Sequence, residues 1–175
     1  MSEAAATSVE NPAENWSKVL DHAEKAGQEN MKFHIDNGDC LAKDSNSTLT
    51  ILLAGGGATL GYWMKLLEQG NHPHLVWGVG ALSCYLFALA LLLLIFGMQA
   101  EDLEAPTNEP QNLMVQGFAA DLIREEDLKD LQRRIDLNIA RNERKAFWLN
   151  WARRLLVFAP VVFVLGLEAG QLIVR

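Results

Sequence analysis

Three long apolar stretches constrain the fold of this chain more than any other feature. Residues 45–64 and 75–100 contain no charged side chain, and residues 155–174 contain only Glu168. A helix rises about 1.5 Å per residue, so about 20 apolar residues cross a hydrocarbon core roughly 30 Å thick. The sequence therefore predicts an all-α protein with three transmembrane helices and cytoplasmic helical extensions, namely an N-terminal helix and a long helix that leads into the third span.

Proline, glycine and charge patterns divide the chain into five predicted segments. They are a disordered tail with a cytoplasmic amphipathic helix (1–44), a membrane hairpin (45–100), an acidic linker (101–111), a cytoplasmic helix (112–150) and a third span (151–175). Asn11 and Pro12 are typical of a helix start, whereas residues 37–39, Asn-Gly-Asp, favour a kink or break before the membrane.

Composition argues against nucleic acid as a partner and favours the lipid bilayer. The chain has 15 basic and 22 acidic residues, and its formal charge of −7 argues against nucleic acid, which needs clustered Lys and Arg. Cys40 precedes the first stretch and Cys84 lies in the middle of the second, so a disulfide between them is not expected. The expected partners are a lipid bilayer, further copies of the chain and a cytoplasmic protein.

Basic residues predict the orientation in the membrane. All of the Lys and Arg residues precede residue 45 or lie between residues 100 and 155, except Lys65 and Arg175. Because basic loops stay in the cytoplasm, the N-terminus and the middle segment are predicted to be cytoplasmic and the C-terminus external. The expectation is a multi-pass membrane protein.

Small residues recur at four-residue spacing in all three stretches. Such tracks let helices approach closely, and close packing drives helix association in lipid. The candidate packing residues are Gly57, Gly61, Gly80, Ala88, Gly166 and Gly170. The track in the first stretch has two interpretations, simple packing within the hairpin or a packing face or flexible segment that lines a pore. The tracks of the first two stretches are candidates to face each other.

Aromatic and basic residues precede the third stretch. Trp148 and Trp151 suit the headgroup layer, and Arg153 and Arg154 can extend toward lipid phosphates, so these four are predicted interfacial anchors. Pro160 is predicted to kink the third span near its entry.

The segment before these anchors carries an apolar stripe at spacings of three and four, which predicts a long amphipathic helix. Two asparagines lie on or beside the stripe, where a polar residue can fix register and oligomer number. The predicted oligomer seam consists of Leu128, Leu131, Ile135, Asn138 and Asn142. Its partner is the N-terminal helix, another copy of the same helix, or both.

Glu168 is the only ionisable residue within an apolar stretch. An ionised carboxylate in hydrocarbon is costly, which favours a group that lines a pore, senses protons or forms an interhelical hydrogen bond. The alternative is a side chain that extends from the last turns of the helix to the outer surface.

Catalytic motifs are missing from the sequence. It contains no Gly-x-Ser-x-Gly, no His-Glu-x-x-His, no phosphate-binding glycine loop and no paired Cys ligands. His72 and His74 are close enough to suggest metal capture, but two ligands without a third make an exposed turn the favoured interpretation. His22 and His34 are expected on a helix surface. We therefore expect no enzyme, no cofactor and no metal.

The order of a soluble helix (16–44), a tight membrane hairpin (49–100) and a second soluble helix (113–149) resembles the SLATT-type and other two-span effectors of bacterial defence systems. The resemblance implies a bacterial inner-membrane protein in antiphage defence, which oligomerises and breaches the membrane when a sensor partner is triggered. The third span departs from the two-span plan. Residues 142–154 also resemble uncharacterised small bacterial and phage-borne membrane proteins, a similarity that implies no activity.

Two functions follow from these features. The first is a non-enzymatic, homo-oligomeric membrane effector or pore-forming protein, favoured by the small-residue tracks and Glu168. The second is a non-conducting scaffold or adaptor whose cytoplasmic helices bind a partner protein. A transporter is less favoured, because three spans give too little wall for a pathway unless subunits combine.

Overall fold

A computed structural model describes residues 12–70, 72–99 and 117–174. These residues form four α-helices and contain no strand: α1 (Pro12–Gln69), α2 (Pro73–Leu92), α3 (Ala120–Leu156) and α4 (Ala159–Val174), with a π-helical segment, Leu93–Gly97, directly after α2. The prediction of an all-α fold is confirmed. The predicted tail, the linker at 101–111 and the first residues of the cytoplasmic helix lie outside the described residues.

The contacts divide the chain into two compact units. The first, here called the polar unit, comprises the described residues up to Asp36 and those from 117 to Ile139. The second, the apolar unit, comprises the described residues from Asn37 to 99 and from Ala140 to 174. Helices α1 and α3 each contribute to both units, and the sequence-based boundaries at residues 44 and 150 fall inside these helices.

The core of the polar unit is a small aliphatic cluster between α1 and α3. Met31, Leu131 and Ile135 are buried, and Ile35, Leu128 and Ile139 pack around them. A Cβ atom added at Gly27 would lie 2.6 Å from Leu131, so this glycine allows the two helices to approach. Each fully buried side chain of this kind contributes about 1.5–3 kcal/mol, and the cluster holds the pair of helical segments together.

Helix α1 is unbroken where the sequence predicted a kink or break. It remains helical through residues 37–39, and a Cβ atom at Gly38 would lie 2.9 Å from the side-chain oxygen of Asn142 on α3. The predicted break is therefore absent. Gly38 instead allows close approach of α3 within the apolar unit, at the cost of a weaker local helix propensity.

Helices α1 and α2 form an antiparallel hairpin in the apolar unit. Gly55 and Gly56 of α1 face Leu86 and Phe87 of α2. Trp63, further along α1, contacts Gly80, which comes earlier on α2, so the contacts progress in opposite directions along the two helices. The Ser83 hydroxyl donates to the Gly56 carbonyl at 3.2 Å. A buried polar group is thereby satisfied at a close helix crossing.

The turn of the hairpin is tight. Only three residues separate α1 from α2, and Gly70 and His72 take positive φ angles of 65° and 64°. A left-handed glycine directly after a helix is a common way to end it. His72 and Pro73 then start α2, and this geometry reverses the chain direction within one turn.

Helices α3 and α4 meet at an angle of 47°. Pro160 has no N–H group for the Leu156 carbonyl, and its ring displaces that carbonyl. The N–H groups of Val157 and Phe158 bond three residues back instead of four, and the Tyr85 hydroxyl of α2 donates to the Leu155 carbonyl at 2.6 Å. The kink predicted from Pro160 is confirmed, and α2 supplies a polar group that stabilises it.

We expect the change Pro160→Ala to reduce the bend, because the new N–H group can bond to the Leu156 carbonyl. Spin labels at the exposed positions Glu143 and Leu172, in a chain with serine at Cys40 and Cys84, would report the angle. Straightening a 47° bend lengthens this distance by about 4 Å. The matched change Val161→Ala, one residue further on, should leave it unchanged, and an unaltered distance in the Pro160 variant would contradict this explanation of the bend.

Candidate membrane-embedded site

The outer surface of the apolar unit is itself apolar. Large hydrophobic side chains are exposed along every helix of this unit, for example Ile51 and Met64 on α1, Leu91 on α2, and Leu165 and Leu172 on α4. A soluble monomer rarely exposes a continuous apolar surface of this extent. A surface of this kind suits contact with lipid or with another protein.

One helix is long and apolar enough to cross a membrane by length and composition. It comprises residues Pro73–Gly97, has a mean hydropathy of 2.6, and has only 33% of its most apolar window buried inside the protein. A core helix of a soluble protein passes the same length test but is mostly buried. Helices α3 and α4 together provide a second candidate if the bent pair forms a single span.

The prediction of three separate spans is not supported at this level of detail. Residues 45–64 do not meet the same hydropathy test among the described helices, because glycine, serine and threonine dilute their aliphatic residues. Helix α4, with 16 residues, is too short to meet it without α3. The supported description is a helical bundle with one or two helices that could span a membrane.

The small-residue tracks of the hairpin do not face each other as predicted. Cβ atoms added at Gly57 and Gly61 would meet nothing within 4 Å, so these two glycines lie on an open face of α1. On α2, Gly80 packs against the ring of Trp63, whereas Ala88 is exposed. The hairpin contact uses Gly55 and Gly56, the neighbours of the predicted pair.

Gly166 and Gly170 lie in the closest helix contact of the apolar unit. A Cβ atom at Gly166 would lie 2.9 Å from the Cα atom of Gly78 and from the Cβ atom of Ala81. One at Gly170 would lie 2.9 Å from the Cα atom of His74 and from the Trp77 side chain. The track on α4 therefore packs on α2, where small residues allow backbone approach.

Glu168 lies on the opposite face of α4 from these glycines. It is exposed, and its neighbours one turn before and one turn after, Leu165 and Leu172, are exposed aliphatic residues. Among the described residues no hydrogen bond or ion pair reaches its carboxylate. The side chain is thus an acidic group on an apolar helix face.

Lys65 is a functional candidate that the sequence analysis used only to predict orientation. It is exposed on α1, one turn after Gly61, and within the described part of the chain it has no ionic partner. The signal for it was the four-residue spacing from Gly57 through Gly61 to Lys65, which puts all three on one helix face.

The predicted anchors lie at one end of the apolar unit. Trp148 stacks on Phe96 with ring centroids 4.7 Å apart, and the exposed Trp151 lies 6.2 Å from the ring of Phe147. Arg153 donates to the Asp44 carboxylate at 3.0 Å and to the Thr48 hydroxyl at 3.3 Å, whereas Arg154 is exposed. Arg153 therefore joins α3 to α1 and is not free to extend toward phosphate.

Basic residues follow α3 toward these anchors. Burial lowers the pKa of the Lys145 ammonium, and the nearby charges of Arg141 and Arg144 lower it further, whereas Asp39 raises it. Burial is the largest cause, and the crowding of three cations on adjacent turns of one helix adds to it. Such a positive cluster next to an apolar surface is typical of the cytoplasmic side of a membrane protein.

The predicted oligomer seam faces α1 of the same chain. Leu131, Ile135 and Asn138 are buried in the polar unit, and Leu128 packs at the edge of their cluster. The Asn138 amide donates to the Arg134 carbonyl at 3.1 Å and contacts the Met31 sulfur at 3.4 Å. Asn142 faces Gly38 in the apolar unit. Of the partners predicted for this seam, the structure shows the N-terminal helix of the same chain.

The polar unit carries an ion-pair cluster that sequence patterns did not reveal. Arg124 on α3 bonds to the Asp21 carboxylate and, at 3.1 Å, to the Glu24 carboxylate on α1. The hydrogen bond that Arg124 donates to Asp21 is the largest cause that raises the pKa of Arg124. A cavity of about 330 Å³ adjoins this cluster and is lined by Glu24, Ala120, Ile123, Arg124, Asp127 and Leu128.

The histidines do not form a metal centre with other ligands in the ranges that the structure describes. The rings of His72 and His74 lie 6.0 Å apart in the hairpin turn, and no group of three His, Cys, Asp or Glu side chains comes together within these ranges. His34 lies edge-on to Phe33 and His22 lies elsewhere on α1.

No known protein family, curated protein or solved structure matches the chain.

Proposed function

We propose that this protein is a homo-oligomeric integral membrane effector that permeabilises the bilayer. In this proposal three segments cross the membrane, residues 45–64, 75–100 and 155–174, with the N-terminus in the cytoplasm and the C-terminus outside. The bias of the basic residues supports this orientation. The similarity in layout to two-span defence effectors adds infection of a bacterial cell as the expected trigger.

The observation that carries the proposal is the position of Glu168. A carboxylate on the exposed, apolar face of a membrane helix costs several kcal/mol unless water, a proton or a polar partner compensates for it. Among the described residues Glu168 has no such partner in its own chain. Association of several copies supplies Glu168 with a polar partner from a neighbouring copy or with an aqueous path. In either case Glu168 lies at the functional centre of the assembly.

A second candidate function is a non-conducting adaptor, favoured by the polar unit. Its cavity combines the carboxylates of Glu24 and Asp127 with the Arg124 guanidinium, and Phe33 and Leu122 are exposed elsewhere in this unit. Charged and apolar groups together are suited to binding a protein segment. This function requires no conductance.

We expect induced expression of the full chain in bacteria to depolarise the inner membrane, measured with a potential-sensitive dye. The change Glu168→Gln should reduce the depolarisation at least tenfold, because it removes the charge and keeps the size of the side chain. The matched change Gln171→Ala, at the neighbouring exposed position, should retain it. Protein levels in the membrane fraction must be equal for the three chains.

The same experiment separates the two functions. An intact potential at high expression, with and without phage infection, would contradict the effector. If a partner protein then co-purifies with the parent chain but not with the Arg124→Ala variant, the adaptor is the better explanation. Equal depolarisation by the Glu168→Gln variant would remove Glu168 from the mechanism.

A further inference from the structure

We propose that copies of this chain associate head to tail, with the outer face of α1 in one copy packed on the outer face of α4 in the next and Lys65 paired with Glu168. The inference rests on the membrane embedding proposed above and names the surfaces that meet. It is argued from two open helix faces, their matching levels and their opposite charges.

The face of α1 is a shallow groove that ends in a cation. Gly57, Gly61 and Lys65 follow one another at four-residue spacing, so they lie along one side of the helix. That side is opposite to the one formed by Gly56, Trp63 and the buried Leu66, which packs toward the interior. Nothing lies within 4 Å of a Cβ atom at either glycine.

The face of α4 is a ridge that includes an anion. Val161, Leu165, Glu168 and Leu172 recur at spacings of four, three and four, and all are exposed. This is the spacing of a packing seam between two helices. Gly166 and Gly170 occupy the other side of α4 and face α2. The ridge therefore has the complementary form to the groove on α1.

Contacts with α2 place the groove and the ridge at matching levels. Trp63 of α1 packs on Gly80, and Gly166 of α4 packs on Gly78 and Ala81. Counting along the helices from these contacts brings Lys65 and Glu168 to the level of Trp77. By the same count Gly61 and Leu165 both lie close to the level of Ala81. Val161 and Leu165 of the ridge thus lie close to the levels of Gly57 and Gly61 in the groove.

The two faces point away from each other within one chain. On α2, the residues that contact α1 (Gly80, Ser83, Phe87) and those that contact α4 (Trp77, Gly78, Ala81) lie on sides roughly 130° apart, at about 100° per residue. Helix α2 therefore lies between α1 and α4. Lys65 and Glu168 of one chain are on opposite sides of it, which explains why they form no ion pair with each other.

Membrane geometry favours contact between successive copies. Helices α1 and α4 both run antiparallel to α2, so they run parallel to each other. Copies inserted in the same direction and related by rotation about the membrane normal keep every residue at its level. The groove of one copy then meets the ridge of the next at the same depth, and repetition of this contact closes into a ring.

Charge complementarity identifies a second copy as the occupant. Among the described residues, Lys65 and Glu168 are the charged side chains at this level of the two open faces, with Glu68 one turn beyond Lys65, and the two carry opposite signs. An isolated charge near hydrocarbon is costly, whereas a hydrogen-bonded pair of opposite charges removes much of that cost. Lipid tails can cover the aliphatic ridge but cannot neutralise both charges.

Charge exchange tests the contact in the full-length protein reconstituted in nanodiscs, with subunit number measured by mass photometry. We expect Lys65→Glu and Glu168→Lys each to weaken association at least tenfold, and the chain with both changes to recover it. The matched control Glu68→Gln, which removes a carboxylate one turn beyond Lys65, should associate like the parent chain. Association that is unchanged in both single variants, or not recovered in the double variant, overturns the proposal.

Disulfide cross-linking provides a second test that keeps both charges. In a chain with serine at the free and exposed Cys40 and Cys84, one tagged copy carries Gly61→Cys and a differently tagged copy carries Leu165→Cys. We expect oxidation to join the two tags, because matching levels bring the residues within disulfide reach. The control pair, Leu67→Cys with Leu165→Cys, should not cross-link, since Leu67 lies on another side of α1.

The outcomes separate this contact from the proposed function. Cross-linking of the Leu165→Cys copy with itself, and not with the Gly61→Cys copy, would replace the head-to-tail contact by a symmetric one through α4. Depolarisation of cells without charge recovery would retain the effector and overturn the contact. Release of the chain from membranes by alkaline carbonate would overturn both.

Discussion

Replacement of Gly166 by Leu is expected to separate α4 from α2 and to destabilise the apolar unit by about 3 kcal/mol. The backbone of Gly78 lies 2.9 Å from the position of a new Cβ atom, and the carbonyl oxygen of Trp77 lies 3.0 Å from it. Backbone atoms cannot rotate away as a side chain can, so the helices must move apart. Thermal unfolding of the helices, followed by circular dichroism in detergent, measures the loss.

The matched change for this experiment is Gly57→Leu. Both glycines lie in apolar helices and gain the same helix propensity, but nothing lies within 4 Å of the new Cβ atom at Gly57. We expect the detergent-solubilised monomer with this change to be as stable as the parent chain or slightly more stable. Equal stability of the two variants would show that α4 does not pack on α2 through Gly166.

Replacement of Ile135 by Ala is expected to unfold the polar unit and to leave the apolar unit helical. Ile135 is 1% exposed, and among the described residues its cluster contains two other buried residues, Met31 and Leu131. Loss of a buried isoleucine side chain costs about 2–5 kcal/mol, which is comparable with the whole stability of so small a cluster. Hydrogen–deuterium exchange by mass spectrometry should show fast exchange of residues 120–139.

Leu137→Ala is the control for this prediction. Leu137 lies two residues further along α3 and is 47% exposed, so its truncation opens no cavity. We expect slow exchange in this variant, as in the parent chain. Slow exchange in the Ile135 variant as well would mean that the polar unit does not depend on this cluster.

The sequence was sufficient to predict the all-α fold, the helical hairpin and the bend at Pro160, but not the continuity of α1 through residues 37–39. The apolar stretches and the short segment between them specified α1 and α2 as antiparallel neighbours, and Pro160 specified the bend. These features depend on local composition, backbone geometry and chain length. Physical rules for single helices are enough to predict them.

The helix faces could not be predicted in the same way. Gly55, Gly56, Gly57 and Gly61 cover several sides of α1, so the sequence did not show which pair would meet α2. The structure uses the first two, because Leu86 and Phe87 pack on them. The choice depends on the side chains of a second helix, which no pattern within α1 contains.

Partners distant in sequence were missed for the same reason. The Tyr85 hydroxyl reaches the Leu155 carbonyl across 70 residues, and Arg124 reaches Asp21 across 103. No sequence pattern distinguished Tyr85 from the other aromatic residues in its apolar stretch. Lys65 was visible as a charge, but its proposed pairing with Glu168 rests on the levels of both helices along α2.

The position of α2 between α1 and α4 has a consequence for biosynthesis. Because α2 precedes α4 in the chain, it leaves the ribosome earlier. Its surface at Trp77, Gly78 and Ala81, which packs on α4 in the structure, has no packing partner while the long α3 is translated. A neighbouring nascent chain on the same polysome that has already produced its own α4 can occupy that surface first. We therefore expect slow translation through α3 to favour exchange of α4 between chains.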